Sequence, residues 1–424
     1  VSSQAAIVDK PSFSVNRYTV VGVVGVIISV LLFVLVIGKV AATTLSTLRI
    51  VAPGAKPSDA PLLDIPLPTI ATVGVICALL VLGAVFVMVR QPSRAFSIYT
   101  GLLIFSVMFV LLIWAGANNK IDVVDMLART VRLATPIALG ALAGILCERS
   151  GVINISIEGV MLTGACVGYI FALLTHNSWL GVGAAMLAGG VTVMLLAVLA
   201  IRFKTDQIIA GTVINIMAVG ITGVLRNDVV LGLQSSGYIG SALPQLPIPI
   251  LSSIPVAGPV FFDHKPITYA MLILVPILSL LLFRTTWGLR TRAVGEHPRA
   301  ADTMGINVNR MRYMNVFISG LVAGLAGAWF SIEATFNFDD LMTNGKGFIA
   351  LAAMIFGKWT PFGALGGALI FSSADALQLK TQTLGFEFPS QFLQMLPYVI
   401  TIVVLAGVIG RARPPAAVGK PYEK

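Results

Sequence analysis

Twelve runs of apolar residues in this chain approach the length a helix needs to cross a lipid bilayer. They lie at 18–38, 68–89, 97–117, 133–147, 156–175, 179–201, 207–225, 267–284, 313–333, 348–357, 362–378 and 396–410. A hydrocarbon core of about 30 Å takes about 20 helical residues. Two of the runs, 133–147 and 348–357, fall short of that, and short apolar segments suit broken or re-entrant helices. The expected fold is therefore all-α: a polytopic transmembrane helical bundle of ten to twelve membrane segments, some of them discontinuous or re-entrant. Composition agrees, because only 11% of the 424 residues are charged and 57% are hydrophobic. Soluble domains carry about 25% charged residues, so a water-soluble enzyme, a secreted scaffold and a disordered chain are all excluded.

The net charge of +10 sorts by side. With the first residue in the cytoplasm, the inside segments hold 18 of the 28 basic residues and 6 of the 18 acidic ones, as the positive-inside rule requires. Both termini are expected in the cytoplasm, and the charge is accounted for without nucleic acid. Glu158 and Asp375 are left in or near the bilayer. The run at 18–38 is too long for a signal-peptide core and Gly38-Lys39-Val40 is a poor cleavage site, so it reads as a retained helix. Cys77, Cys147 and Cys166 are scattered through apolar segments, and His176, His264 and His297 lie far apart, so neither a disulfide framework nor a metal site is expected. The connections 39–67 and 226–266 are rich in proline, glycine and serine and read as extramembrane loops. Gly140/Gly144, Gly164/Gly168, Gly320/Gly324 and Gly363/Gly367 have the GxxxG spacing that lets helix backbones approach closely.

The densest basic cluster, six residues between 284 and 312, frames a loop containing Glu296, His297, Pro298, Arg299, Ala300, Ala301 and Gly305. Proline suits a first helical position and glycine a stop, so a helix of about two turns is expected from Pro298 to Gly305. Ala300, Ala301, Met304 and Ile306 give it an apolar side that needs a partner. Further back, Ser150-Gly151 breaks a helix and Asn154 is a candidate cap for the next. Glu158 stands one turn beyond Asn154, with Arg149 and the incoming helix N-terminus as possible partners. A carboxylate at this depth must face protein, water or a ligand, so a satisfied hinge and a place in a substrate path both remain open. Ser372, Asp375 and Gln378 recur every three residues as a polar stripe that faces the bundle interior, either lining a path or bonding neighbouring helices. Asn215 carries the same two readings. Trp114, Trp179 and Trp359 near helix ends suit an aromatic belt. Trp329, Phe330, Phe336 and Phe338 are candidates to stack a base ring, against the ordinary reading as packing.

Three stretches carry a family resemblance: Glu148-Arg-Ser-Gly-Val-Ile-Asn-Ile-Ser-Ile-Glu-Gly159, Arg292-Ala-Val-Gly-Glu-His-Pro-Arg-Ala-Ala301 and Gly345-Lys-Gly-Phe-Ile-Ala-Leu-Ala-Ala-Met-Ile-Phe-Gly357. They resemble the permease subunits of bacterial ATP-binding-cassette importers, in the branch for branched-chain amino acids, ribose-type sugars and nucleosides. The Glu-Arg-Ser-Gly-Val-Ile-Asn run and Gly-Phe-Ile-Ala-Leu-Ala-Ala are most similar to the nucleoside type. Ala300-Ala301 and Gly305 match the family's coupling loop, although Arg299 replaces its usual glutamate. The resemblance spans roughly 126–413, with 1–125 as an added N-terminal bundle and 414–424 as a cytoplasmic tail. It implies a multi-pass protein of the bacterial plasma membrane with three kinds of protein partner besides membrane lipid. These are ATPase subunits, a second permease subunit and an extracytoplasmic substrate-binding lipoprotein. It also implies no cofactor on this chain, ATP and Mg being held by the ATPase. Consistently, no GxxxxGKS or GxxxxGKT phosphate loop and no nucleophile–base set occurs. A small neutral polar solute, foremost a nucleoside and otherwise a simple sugar or branched-chain amino acid, is the expected cargo. An ion-coupled secondary transporter, with Glu158 and Asp375 as ion ligands, is the alternative of a different class.

Overall fold

The computed structural model describes residues 17–53, 61–91, 93–238, 240–384, 395 and 413–423; the apolar run at 396–410 lies outside them. Ten helices among the described residues are long and apolar enough to span a membrane, and one further apolar helix is short. In chain order the first part holds α1 (Arg17–Lys39), β1 (Leu45–Ile50), β2 (Leu63–Pro68), α2 (Thr69–Arg90), α3 (Ser93–Ala115) and β3 (Lys120–Asp122). There follow α4 (Val123–Glu148), α5 (Ile157–Thr175), α6 (Ser178–Ala197), α7 (Gln207–Leu225), α8 (Leu231–Ser235), β4 (Leu246–Pro247), α9 (Ala257–Phe261), β5 (Asp263–His264) and α10 (Pro266–Arg284). The last are α11 (Thr286–Glu296), α12 (Pro298–Thr303), α13 (Val308–Ala328), α14 (Lys346–Phe356) and α15 (Pro361–Thr383). The fold is an all-α membrane bundle. Short strands are confined to its connections, in a sheet ordered β2-β1-β3 and an antiparallel pair, β4-β5, that sets Leu246 opposite His264.

The chain divides into two compact units. The first takes in the described parts of 1–48 and 65–121. There α1, α2 and α3 close around Val21, Leu80, Ala84, Val87, Phe96, Tyr99 and Leu103. The buried Ser46 hydroxyl is satisfied by the Thr69 hydroxyl at 2.7 Å and by the Ile113 carbonyl at 2.7 Å, as a polar group away from water requires.

The second unit takes in the described parts of 49–64, 122–397 and 411–424. Its first helix corrects one expectation: the short run 133–147 is only the apolar part of α4, which is 26 residues long. Asp122 caps α4 by accepting from Val124 N and Asp125 N. Its opening turns carry Asp125, Arg129 and Arg132, charges that end the apolar run but pair on the helix at 3.2 and 3.7 Å. The other short run behaves as expected. At 11 residues α14 extends about 16 Å, roughly half the hydrocarbon core.

Close backbone contact organises α5, α6 and α13. A Cβ placed on Gly324 would stand 2.2 Å from the Ala185 carbonyl, and one on Gly189 2.4 Å from that of Gly320. Gly164 and Gly168 face Gly324 and Ala185 in the same stack. Gly140 and Gly144 receive Ala350 and Met354 of α14, while Gly363 and Gly367 lie against Gly357 and Ala353. All four GxxxG pairs therefore sit at helix contacts. The helical ladder widens into π turns at Val198–Arg202, Arg226–Val230 and Trp329–Ala334.

Candidate functional site

The break at Ser150-Gly151 is a glycine-terminated helix end. Gly151 takes φ +91°, its N–H donates to Glu148 O at 2.9 Å, and Val152 N–H reaches back to Cys147 O at 3.2 Å. This is the Schellman arrangement, whose left-handed position favours glycine. The chain then turns through 152–156 before α5 begins. Asn154 lies in this turn and does not cap α5: its amide donates to Ser319 at 3.2 Å and its oxygen accepts from Ser156 at 2.7 Å. Consequently it does not share a helix face with Glu158. Asn215 of α7 bridges the turn instead, accepting from Gly159 N–H at 2.8 Å and donating to Ile155 O at 3.0 Å.

Glu158 does not meet Arg149. Its carboxylate sits on the N-terminus of α14, accepting from the Thr343 hydroxyl at 2.6 Å and from the N–H groups of Gly345 at 2.8 Å and Gly347 at 2.6 Å. An anion at the positive end of a helix, with N–H groups aimed at it, is a favourable placement. Glycine at 347 is needed for the approach, since a Cβ there would lie 2.6 Å from the Glu158 backbone. One residue along, Lys346 pairs with Asp375 of α15 at 2.6 Å, both side chains being largely buried. The stripe on α15 thus divides by function: Asp375 meets Lys346, while Ser372 is buried and donates to Leu369 O of its own helix at 3.2 Å. Gln378 is half-buried, and its backbone carbonyl accepts from the Thr381 hydroxyl at 2.8 Å. Glu158, Lys346 and Asp375 therefore hold a half-length helix inside the bundle by its polar end.

The other end of α14 is pinned by the end of α4. Buried Glu148 accepts from the Trp359 indole N–H at 2.6 Å, and Arg149 donates to Trp359 O at 3.0 Å and Lys358 O at 3.4 Å. Burial holds the Arg149 pKa below its usual value, with Glu296 opposing that shift. Trp359 is thus an internal strut, only 5% exposed, and no interface anchor. The proposed stacking aromatics are also packed within the protein: Trp329 against Phe330, Phe336 against Tyr169, and Phe338 in the core. Sequence reasoning also missed Glu333. It accepts from Ile267 N–H at 2.6 Å and the Thr268 hydroxyl at 2.7 Å, capping α10 from a π turn.

On the same end of the bundle as the α4 terminus lie α11 and α12. Pro298 opens α12 at its first turn, as expected. Gly305 follows at φ +79°, with its N–H on Asp302 O at 2.9 Å and Ile306 N–H on Ala301 O at 3.1 Å, a second Schellman end. Ala301 is buried with Val294 and Val308, and Ile306 packs beside them. Glu296, His297, Arg299, Ala300 and Met304 are exposed, Met304 by 82%. Half of the apolar side is therefore satisfied within the chain and half stands open. The base of this segment rests directly on the hinge: a Cβ on Gly295 would be 2.2 Å from Arg149 O. No group of three His, Cys, Asp or Glu side chains suited to a metal occurs among the described residues.

A bundle of spanning helices with a half-length helix seated on buried charges, and a small exposed helix resting on its hinge, defines a membrane transport component. Residues 126–405 match the family of branched-chain amino acid transport system permease components. The chain belongs to this family and is the permease subunit of an ATP-binding-cassette transporter. It is 42% identical over 316 residues to the guanosine ABC transporter permease protein NupQ of Bacillus subtilis, covering 72% of this chain and 99% of that one. Identity to the nucleoside ABC transporter permease protein NupC of Lactococcus lactis is 39%, covering 70% and 96%. The L-arabinose transport system permease protein AraH of Escherichia coli is 25% identical, covering 75% and 91%. No solved structure matches.

Proposed function

We propose that this permease imports nucleosides, with its energy supplied at α12 by separate ATPase subunits that hold ATP and Mg. A substrate-binding lipoprotein delivers the solute outside, and a second permease subunit completes the pathway. The chain then lies in a bacterial plasma membrane with both termini and α12 in the cytoplasm, where most of its basic residues fall. The observation that carries the coupling is the seat of Gly295 on Arg149. It links an exposed helix to the turn that leads to Asn154 and Glu158. The names of the two relatives that this chain nearly spans support a nucleoside cargo. The arabinose relative and the family description favour a sugar or a branched-chain amino acid as the second reading. The test is uptake into proteoliposomes bearing the complete complex, with radiolabelled guanosine, arabinose and leucine as competing solutes. Guanosine uptake should require ATP, and a Gly305→Leu change should uncouple it from hydrolysis. A Cβ at 305 meets no other atom, so the change acts through the left-handed backbone, at about 1–2 kcal/mol. Solute uptake that persists without the ATPase would sink the importer reading.

A further inference from the structure

Residues 413–423 form no helix or strand, yet they are held to the rest of their unit by backbone groups. Ala417 N–H donates to Gly295 O at 2.9 Å, and Gly419 N–H donates to Gly151 O at 3.2 Å. Ala416 N–H reaches the Glu296 carboxylate at 3.0 Å. Tyr422 packs on the cluster of Val294, Ala301 and Val308 that seats α12. The segment thus touches the base of α12 and the α4–α5 hinge at the two glycines where each is tightest. Glu423 adds an exposed pair with Lys204 at 2.7 Å, which lowers the Glu423 pKa. Exposed pairs of this kind contribute little to holding a segment, so the backbone bonds carry the attachment.

Arg312 shows that the attachment is built into the fold. Its side chain is 1% exposed and has no acidic partner among the described residues. It donates from Nε to Ser150 O at 3.2 Å and from Nη1 to Lys420 O at 3.1 Å. A buried cation is costly unless its donors are met. The segment meets Nη1, and the end of α4, a favourable place for positive charge, meets Nε. Nη2 is buried without a hydrogen-bond partner among the described residues, so loss of the segment would strand a second donor.

We propose that residues 413–423 are a transmission strap. They bind Gly295 and Gly151 together so that displacement of α12 is passed to the hinge, and through it to Asn154 and Glu158, instead of being lost as the two slide apart. The strap rests on the coupling role given to α12 above, and its residues are positioning residues that act through the hinge.

The experiment uses the complete transporter in proteoliposomes and reads nucleoside uptake and ATP hydrolysis in the same vesicles. Two variants are compared with wild type: the chain ended after Pro414, and Ala417→Pro, which deletes the single N–H that meets Gly295. Lys204→Ala is the control that leaves the backbone attachment intact. The strap requires both variants to assemble and hydrolyse ATP normally while solute moved per ATP falls at least about fivefold, the lower end of ordinary coupling between sites. Lys204→Ala should keep the wild-type ratio. Uptake and hydrolysis falling together at an unchanged ratio, or a complex that fails to form with Ala417→Pro, would make the segment a scaffold and overturn the proposal. Gly305→Leu separates the two ideas. If it uncouples while the strap variants remain coupled, the strap alone is wrong; if all three remain coupled, the role of α12 is wrong and the strap falls with it.

Discussion

Replacing Glu158 tests whether a carboxylate holds the half-length helix in place. The three donors converge on two oxygens: Thr343 and Gly345 on Oε1, Gly347 on Oε2. Glu158→Gln can keep the first two but turns an amide NH2 toward the Gly347 N–H, so at least one charge-assisted bond is lost. Such bonds contribute about 1.5–3 kcal/mol. A loss near 2 kcal/mol corresponds to about 30-fold in the balance between seated and displaced α14. Glu158→Ala strands all three donors, at about 1–3 kcal/mol each if water does not reach them. Glu158 is half-buried, so partial hydration favours the lower end of that range. The assays are thermal unfolding of the detergent-solubilised chain and initial uptake by the reconstituted complex. Both should decline in the order wild type, Gln, Ala. An alanine variant with wild-type unfolding and wild-type uptake would refute the seat. Normal unfolding of Gln with depressed uptake would instead place the carboxylate in direct contact with solute.

Two further outcomes follow from the packing. Asp375→Asn leaves Lys346 charged and largely buried without its partner, which should destabilise the chain by about 3–5 kcal/mol, whereas the double change Lys346→Met with Asp375→Leu should recover most of that loss. Thermal unfolding of the set checks this, and recovered stability without recovered uptake would show that the charges themselves serve the path. Gly324→Leu should be worse tolerated than Gly305→Leu in the same unfolding assay, by about 1–3 kcal/mol or more. The first meets backbone at 2.2 Å and the second meets no other atom; equal Tm values for the two would contradict the close stack.

Local signals carried much of the fold and little of the wiring. Apolar length located the spans because a helix in lipid has few alternatives, and Pro298, Gly305 and Gly151 marked helix ends because their backbones constrain the turn. The underestimate of α4 has a physical cause, since Asp125, Arg129 and Arg132 are polar by type yet pair with one another along a helix face. Long-range partners were illegible. Glu158 finds its donors 185 to 189 residues away, and Glu148 finds Trp359 211 residues away. Nearness in sequence suggested Arg149 for Glu158, but Arg149 serves the Trp359 turn. Glu333 closes the apolar run 313–333, and nothing near it in sequence marks a partner. Its placement in a π turn, facing the start of α10, needed the tertiary contact.

The glycine stack of α5, α6 and α13 restricts how this permease can change state. Backbones in such contact have no side-chain layer to rearrange, so the three helices translate or tilt as one body. Shape change is then left to parts joined by side chains and polar bonds: α14, α15 and the hinge before α5. Suppressor mutations that restore a weakened transporter should gather along those seams, and enlargements of Gly189, Gly324 or Gly327 should be rare among survivors of any selection for uptake.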